Sequence, residues 1–281
     1  MTLAQALAQA QSAGLPRLEA RLLLLHLLER APHDHAWLIA HDDAPLDASL
    51  LARWNDVIAR RLAGVPVAYL TGRKAFYGLD LRINADVLDP REDTETLVDW
   101  ALAVLPPEQP ARMLDLGTGS GAVALAIAQQ RPAAHVSATD ASPGALAVAR
   151  ANGQRLNLPV RWLQGAWNDW FAPLKPGERF DLIAGNPPYI AQGDPHLRAL
   201  AHEPETALTS GADGLRDIRR IVAGAIAHLA PGGWLLLEHG HDQAQAVREL
   251  LTQAGYAQPQ SRRDLAGIER CSGGMAGTPK P

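Results

Sequence analysis

Apolar residues change their spacing twice along this chain, and each change marks a different kind of structure. From Leu3 to about Leu62 they recur at three and four residues, as in Leu18, Leu22, Leu25 and Leu28, within a stretch rich in Ala, Leu, Arg and Gln. That period belongs to helices with one buried face. Several short helices are expected, broken at Gly14-Leu15-Pro16 and Ala31-Pro32-His33-Asp34, with Asp47 as N-cap of a helix through Trp54 and Ile58. From Arg73 to Leu88 the spacing shortens, and Phe76, Leu79, Leu81 and Ile83 around Gly78 predict a β-hairpin that bridges to the rest of the chain. A further helix is predicted with Asp93 or Thr94 as N-cap, Leu97, Val98, Trp100, Ala101 and Leu105 on its apolar face, and Pro106-Pro107 as its stop.

Beyond Pro107 short apolar runs alternate with helical patterns. Strands are expected at Arg112–Leu116, His135–Thr139, Val160–Leu163, Phe180–Ala184 and Trp234–Glu238, and helices at about Ala122–Gln130, Ala145–Leu156, Leu215–Leu229 and Gln243–Ala254. Strand followed by helix, repeated, implies an α/β fold with a parallel sheet covered on both faces. Gly267–Gly273 is expected to add an antiparallel strand at the sheet edge. The domain boundaries drawn from these shifts are 1–72 for a small helical domain, 73–90 for a hairpin linker and 91–281 for the α/β domain.

Composition narrows the class without naming a function. At 281 residues, 47% hydrophobic and 20% charged, the chain suits two globular domains. A net charge of −4 lacks the strong basic field of a general nucleic-acid binder. No Lys or Arg precedes Arg17, so no secretory signal is expected. The run Leu22–Leu25, resumed by Leu27 and Leu28, falls far short of the ~18 apolar residues of a membrane span. The single cysteine, Cys271, favours a reducing, cytoplasmic setting.

Chemistry enters where the first α/β strand ends. Asp115-Leu116 runs into Gly117-Thr118-Gly119-Ser120-Gly121 before a helix, and glycines at such a turn let a ligand approach the backbone. Asp140 closes the next strand, where a carboxylate can accept from both ribose hydroxyls of a nucleoside. The glycine spacing departs from the dinucleotide pattern G-x-G-x-x-G. A carboxylate at Asp115 repels a pyrophosphate but suits an amino-acid ammonium. S-adenosyl-L-methionine carries that ammonium and no phosphate.

Asn186-Pro187-Pro188-Tyr189 follows the strand FDLIAG directly, at the sheet edge where open α/β folds bind ligands. Proline lacks an N–H and stiffens the residue before it, so the chain leaves the sheet with carbonyls free to accept. An amide nitrogen is a poor nucleophile because its lone pair is delocalised. The Asn186 side-chain oxygen and the Pro187 carbonyl could each accept one N–H of a carboxamide and stabilise positive charge as its nitrogen reacts. Tyr189 could stack on the planar target.

These residues resemble the PrmC/HemK family of protein-(glutamine-N5) methyltransferases. The similarity covers nearly the whole chain: EARLLLLHLL at Glu19–Leu28, GVPVAYLTGRKAFYGL at Gly64–Leu79, DPREDTETLV at Asp89–Val98, DLGTGSGAVALA at Asp115–Ala126, NPPYI at Asn186–Ile190, and EPETAL with GADGL between Glu203 and Leu215. The resemblance implies a Rossmann-like class I methyltransferase domain with a mostly parallel seven-stranded sheet. It also implies S-adenosylmethionine as cofactor, and as substrate the Gly-Gly-Gln glutamine of peptide chain release factors. By that likeness Gly117, Thr118, Gly119, Ser120, Gly121, Asp140 and Asn186 bind the cofactor, while Asn186, Pro187, Pro188 and Tyr189 clamp the glutamine. A tryptophan along the cofactor adenine is either Trp167, favoured by spacing from Asp140, or Trp170, favoured by local sequence. The helical domain would hold the protein substrate, Arg91 and Glu95 would line the domain interface, and a cytoplasmic monomer is expected. Asp89, Glu92 and His239 depart from the family, which more often has an apolar residue, a proline and an apolar residue there.

Other readings compete. NPPY also occurs in enzymes that methylate amino groups of nucleic-acid bases, and a related enzyme acts on a ribosomal-protein glutamine; Pro90-Arg91 followed by Asp93-Thr94-Glu95 argues against both. A nicotinamide oxidoreductase is disfavoured by the glycine spacing, and a cofactor-binding module without catalysis by the intact clamp. His33-x-His35 and His239-x-His241 have chelating spacing but no carboxylate or cysteine set around them, so no metal site is expected. Arg53, Arg60, Arg61, Arg73 and Lys74 read first as a solvated helix face.

Overall fold

Five helices occupy the N-terminal part of the chain in a computed structural model that describes residues 1–277. They are α1 (Leu3–Ser12), α2 (Arg17–Leu27), α3 (His35–Ala40), α4 (Ala48–Leu62) and α5 (Val67–Thr71). α1 opens with a reciprocal cap, in which Thr2 Oγ1 accepts from Gln5 N–H at 3.3 Å and Gln5 Oε1 accepts from Thr2 N–H at 2.9 Å. The Asp47 carboxylate caps α4 by accepting from Leu50 N–H at 2.7 Å. The buried face of α2 differs from the one the leucine spacing predicted. Leu18 is exposed and Leu22 only half-buried, whereas Ala20, Leu23, Leu24 and Leu27 join Leu25 in the core with Leu3, Trp54 and Ile58. A run of four leucines fits more than one helical phase, and packing selects among them.

Contacts divide the chain into two units. The first holds Met1–Arg73 together with Ala199–His202, where His202 Nε2 lies 3.0 Å from the Ala63 carbonyl. The second holds Lys74–Arg198 and the chain from Glu203 onward.

The hairpin consists of β1 (Arg73–Phe76) and β2 (Leu79–Arg82). Tyr77 and Gly78 turn it with φ of 48° and 76°, the paired left-handed residues that match the twist of tight hairpins. Its four predicted apolar positions, Phe76, Leu79, Leu81 and Ile83, are all buried. α6 (Glu95–Val104) follows a short 3-10 turn at Glu92–Thr94. Thr94 stands at the N-cap position, but its backbone is helical and its side chain caps nothing. Asp93 instead pairs with Arg270 at 3.2 Å.

Then come β3 (Arg112–Leu116), α7 (Ala122–Gln130), β4 (His135–Asp140), α8 (Pro143–Leu156), β5 (Arg161–Gln164), β6 (Phe180–Gly185), α9 (Arg216–Ala225), β7 (Leu229–Glu238), α10 (Ala244–Gln253), β8 (Ala257–Arg263) and β9 (Glu269–Met275). The sheet order is β5-β4-β3-β6-β7-β9-β8, parallel from β5 to β7 and antiparallel at β9 and β8. This is the expected α/β class with a mostly parallel seven-stranded sheet. Two elements differ from expectation. The final strand is not at the edge, because β8 pairs on its outer side; the sequence of β8, AQPQSRR, carries a proline and too little apolar character to signal a strand. The helix expected to reach Leu229 stops at Ala225, and Leu229 begins β7 by pairing with Phe180.

On one sheet face Leu114, Leu116, Ile183, Leu235 and Leu237 pack with Ile218, Ile221 and Val222 of α9 and with Val247 and Leu251 of α10. Asn152 of α8 bonds both backbone groups of Arg82 and the Ser120 carbonyl, tying the hairpin to the glycine loop. The strand order turns back on itself between β3 and β6, the switch point where a crevice opens outside the strand ends. No helix among the described residues is long and apolar enough to cross a membrane.

Candidate active site

A cavity of about 500 Å³ lies at that switch point, within the range of small-molecule sites. Its floor is the glycine loop. Gly117, Gly119 and Gly121 all have positive φ, at 68°, 55° and 86°, conformations that side chains resist. Gly119 N–H donates to Asp140 Oδ2 at 2.8 Å, and Ser142 N–H donates to Oδ1 at 2.8 Å. These bonds orient the Asp140 carboxylate, although burial still raises its pKa. Asp115 Oδ2 accepts from the Thr118 hydroxyl at 2.6 Å and from Ala124 N–H at 3.2 Å. Burial pushes Asp115 up to about 7, so a cation entering the cavity would favour its charged form.

Both candidate tryptophans line the cavity. The Trp170 ring lies against Gly117, where a side-chain carbon on that residue would meet it at 3.1 Å, whereas Trp167 is 58% exposed.

From the neighbouring strand, β6 delivers Asn186 and Pro188 to the cavity lining beside the glycine loop, with Pro187 buried between them. The segment is held firmly. Tyr189 and Ile190 N–H both donate to the Leu208 carbonyl, at 3.2 and 2.9 Å, and Gln243 Nε2 donates to the Tyr189 carbonyl at 3.0 Å. Gly214 sits so close to that carbonyl that a side chain would collide with it. Asn186 Nδ2 donates to Thr94 Oγ1 at 3.2 Å, leaving the side-chain oxygen for another donor. Tyr189 does not line the cavity: it packs on the core and its hydroxyl donates to Glu238 Oε1 at 3.4 Å.

Residues 2–72 match the model of the PrmC N-terminal domain, and residues 97–256 match the methyltransferase small domain. The chain is 52% identical to the release factor glutamine methyltransferase of Bordetella pertussis, over 93% of this chain and 95% of that protein. It is 40% identical to the Escherichia coli protein of the same name, over 95% of each. This chain belongs to the release factor glutamine methyltransferase family. It is therefore an S-adenosylmethionine-dependent methyltransferase. A Pyrococcus furiosus methyltransferase structure shares the fold, with a TM-score of 0.55 and 22% identity over 79% of this chain and 99% of that one.

Two of the three departures from the release factor glutamine methyltransferase pattern, Asp89 and His239, meet polar partners. Asp89 is buried 3.5 Å from Lys74 Nζ and 3.7 Å from Arg91, and its N–H donates to Glu203 Oε2 at 3.2 Å. Arg91 donates to the same Glu203 carboxylate. Glu95 Oε1 accepts from the Tyr77 N–H at the hairpin turn, at 2.9 Å. His239 is fully buried, and burial lowers its pKa. Its Nδ1 faces the Gly240 carbonyl at 2.9 Å and must carry the hydrogen, so Nε2 accepts from Ser272 Oγ at 2.7 Å.

Sequence reasoning passed over Thr94, Glu205, Thr206, Arg216 and Arg220, which line the cavity. Thr94, Glu205 and Thr206 fall inside the family-like segments DPREDTETLV and EPETAL, whereas Arg216 and Arg220 left no such sign.

Proposed function

We propose that the protein transfers a methyl group from S-adenosylmethionine to the side-chain amide nitrogen of a glutamine in a peptide chain release factor. The observation that carries this reading is the pose of Asn186, whose amino end is committed to Thr94 and whose oxygen is thereby left as an acceptor beside the cavity. The residues present suit the cofactor. Gly117, Gly119 and Gly121 form a cradle that side chains would fill, Asp140 offers an oriented carboxylate to ribose hydroxyls, and Asp115 offers a buried carboxylate to an ammonium. When bound, S-adenosylmethionine supplies an electrophilic methyl carbon.

The protein's own contribution is positioning and charge stabilisation. Asn186 Oδ1 and the Pro187 carbonyl accept the two N–H groups of the substrate carboxamide, hold its nitrogen facing the cavity and stabilise the positive charge that builds on it. No strong general base is needed, because the nitrogen becomes acidic as it reacts. Tyr189 anchors the far side of the clamp segment by packing on the core and bonding Glu238. The N-terminal unit is read as the part that holds the protein substrate, and the cytoplasm, where translation ends, as the place of action.

Incubation with S-adenosylmethionine and a purified release factor, followed by peptide mass spectrometry, tests the reading. A gain of one methyl mass on a single glutamine is expected, absent when that glutamine is replaced by glutamate. Methylation of a ribosomal protein or of DNA, with the release factor unmodified, would replace this reading by one of its rivals.

A further inference from the structure

We propose that Arg216 and Arg220 form a subsite for a carboxylate side chain of the protein substrate, beside the glutamine that is methylated. The inference deepens the proposed function and rests on it for the substrate being a protein. Charge is the starting point. Among the described residues that line the cavity, the carboxyl groups are Asp86, Asp115, Asp140, Asp169, Glu205 and Asp217, and the only cations are Arg216 and Arg220. Coulomb attraction therefore directs an entering anion to these two arginines, whose forked donors suit a carboxylate.

The pair is held in place from below. Ser210 Oγ donates to Asp217 Oδ2 at 2.7 Å and accepts from the Asp217 N–H at 2.8 Å, and both residues are buried. The carboxylate so fixed accepts from Arg216 Nη2 at 2.9 Å and lies 3.9 Å from Arg220 Nη1. Gly211 leaves room for the stem of Arg216, whose Cβ a side chain there would meet at 3.1 Å. Two cations thus share one carboxylate, and one positive charge is left unbalanced. The Arg220 guanidinium makes no hydrogen bond among the described residues, and both arginine side chains keep about half their surface exposed. Helix stability does not explain them, because Arg216 is the first residue of α9 and a cation there opposes the helix dipole.

S-adenosylmethionine carries a carboxylate of its own, but the sheet separates it from this pair. Successive residues of a strand face opposite sides. Leu114 and Leu116 pack on the α9 face, so Asp115 between them points to the other face, where it accepts from Ala124 of α7. A cofactor whose ammonium meets Asp115 keeps its carboxylate, borne on the same carbon, on the α7 face. Arg216 and Arg220 belong to α9, so the group they meet comes from the substrate. A nucleic-acid strand fits poorly, since the carboxyl groups around the cavity repel a run of phosphates, whereas a single carboxylate answers a single unbalanced charge.

The test uses the full chain with Arg216→Gln, Arg220→Gln and both together. The side chains are half-exposed, so the variants should fold, with thermal midpoints near wild type. With a release factor as substrate, KM should rise about threefold in each single variant and about tenfold in the double, with kcat within about twofold. Calorimetry should find S-adenosylmethionine bound within about twofold of wild type in all three, since the arginines do not touch its amino-acid end. Added salt should raise the wild-type KM more than that of the double variant. Replacing the acidic residues nearest the release factor's glutamine by amides should raise the wild-type KM similarly and add nothing in the double variant. An unchanged KM, amide replacements that act equally on wild type and the double variant, or a cofactor Kd that rises as far as KM would each overturn the subsite. Binding of the release factor to protein loaded with S-adenosylhomocysteine separates this from the functional reading. Binding that weakens in the double variant, with no methylation by wild type, would overturn that reading and keep the subsite; methylation with binding indifferent to both arginines would do the reverse.

Discussion

Asp115 and Glu238 invite comparison, because each lies within the last two residues of a strand of one sheet and burial pushes each up to about 7. Their surroundings differ. Asp115 lines the cavity and takes its hydrogen bonds from Thr118 of the glycine loop and Ala124 in the first turn of α7. Glu238 lies outside the cavity lining; its Oε1 accepts from Tyr189, in a distant part of the chain, at 3.4 Å, and its Oε2 has no partner among the described residues. On the proposed function the first carboxyl is placed to meet a charge brought by a ligand, whereas the second is buried away from the cavity.

If the clamp end works by alignment, removing its acceptor should cost most. Asn186→Ala is expected to lower turnover by roughly a hundredfold or more while leaving cofactor affinity near normal, the scale seen when an oriented polar group is lost from a reacting centre. Single-turnover kinetics and calorimetry on the same preparation separate the two effects. A loss of cofactor binding equal to the loss of turnover would erase the distinction between the ends.

Stability should expose the burial of Glu238 directly. Its carboxyl is raised from 4.5 to about 7 in the fold, so the folded state holds the proton more tightly than the unfolded chain does. Its stabilising contribution is complete below the unfolded value and is lost as pH rises through the folded one. Relative to Glu238→Gln, wild type should therefore lose about 2 kcal/mol of stability between roughly pH 5 and pH 8. Urea denaturation at both values checks it, and parallel curves would mean that Glu238 is already charged and well solvated.

The two ends also differ in how far they could be read in the sequence. The glycine loop was legible because left-handed backbone at Gly117, Gly119 and Gly121 demands glycine, and Asn186 to Tyr189 because two prolines after an apolar strand leave few conformations open. Thr94 was not legible as the partner of Asn186, since no spacing rule links residues 92 positions apart. Thr94 looked like an N-cap, which is what a threonine before a helix usually is. Strand β8 was missed for a related reason: an edge strand with one solvated face needs few apolar residues.

At the binding end the local design of Asp115 can be probed by charge alone. Asp115→Asn keeps an oxygen for Thr118 and Ala124 but turns an amide hydrogen toward the cavity, so S-adenosylmethionine should bind about tenfold more weakly. S-adenosylhomocysteine should suffer similarly, because it retains the ammonium. Unchanged affinity for both would remove the role given to Asp115.

The smallest effect concerns the tryptophans, and it sharpens how much of the binding end is built before any ligand arrives. Spacing from Asp140 favours Trp167 as the aromatic wall, but packing favours Trp170, whose ring already rests on Gly117 while Trp167 stands 58% exposed. A ring fixed by the core loses little freedom when a ligand lies along it, whereas an exposed ring must first be ordered, which offsets part of its contact energy. Trp170→Ala should therefore raise the Kd for S-adenosylmethionine roughly fivefold, and Trp167→Ala less than about twofold, as an aromatic contact is worth around 1 kcal/mol. Calorimetry with both variants decides it. The reverse ranking would mean that Trp167 swings in to cover the cofactor, and that this end, unlike the clamp, is completed only on binding.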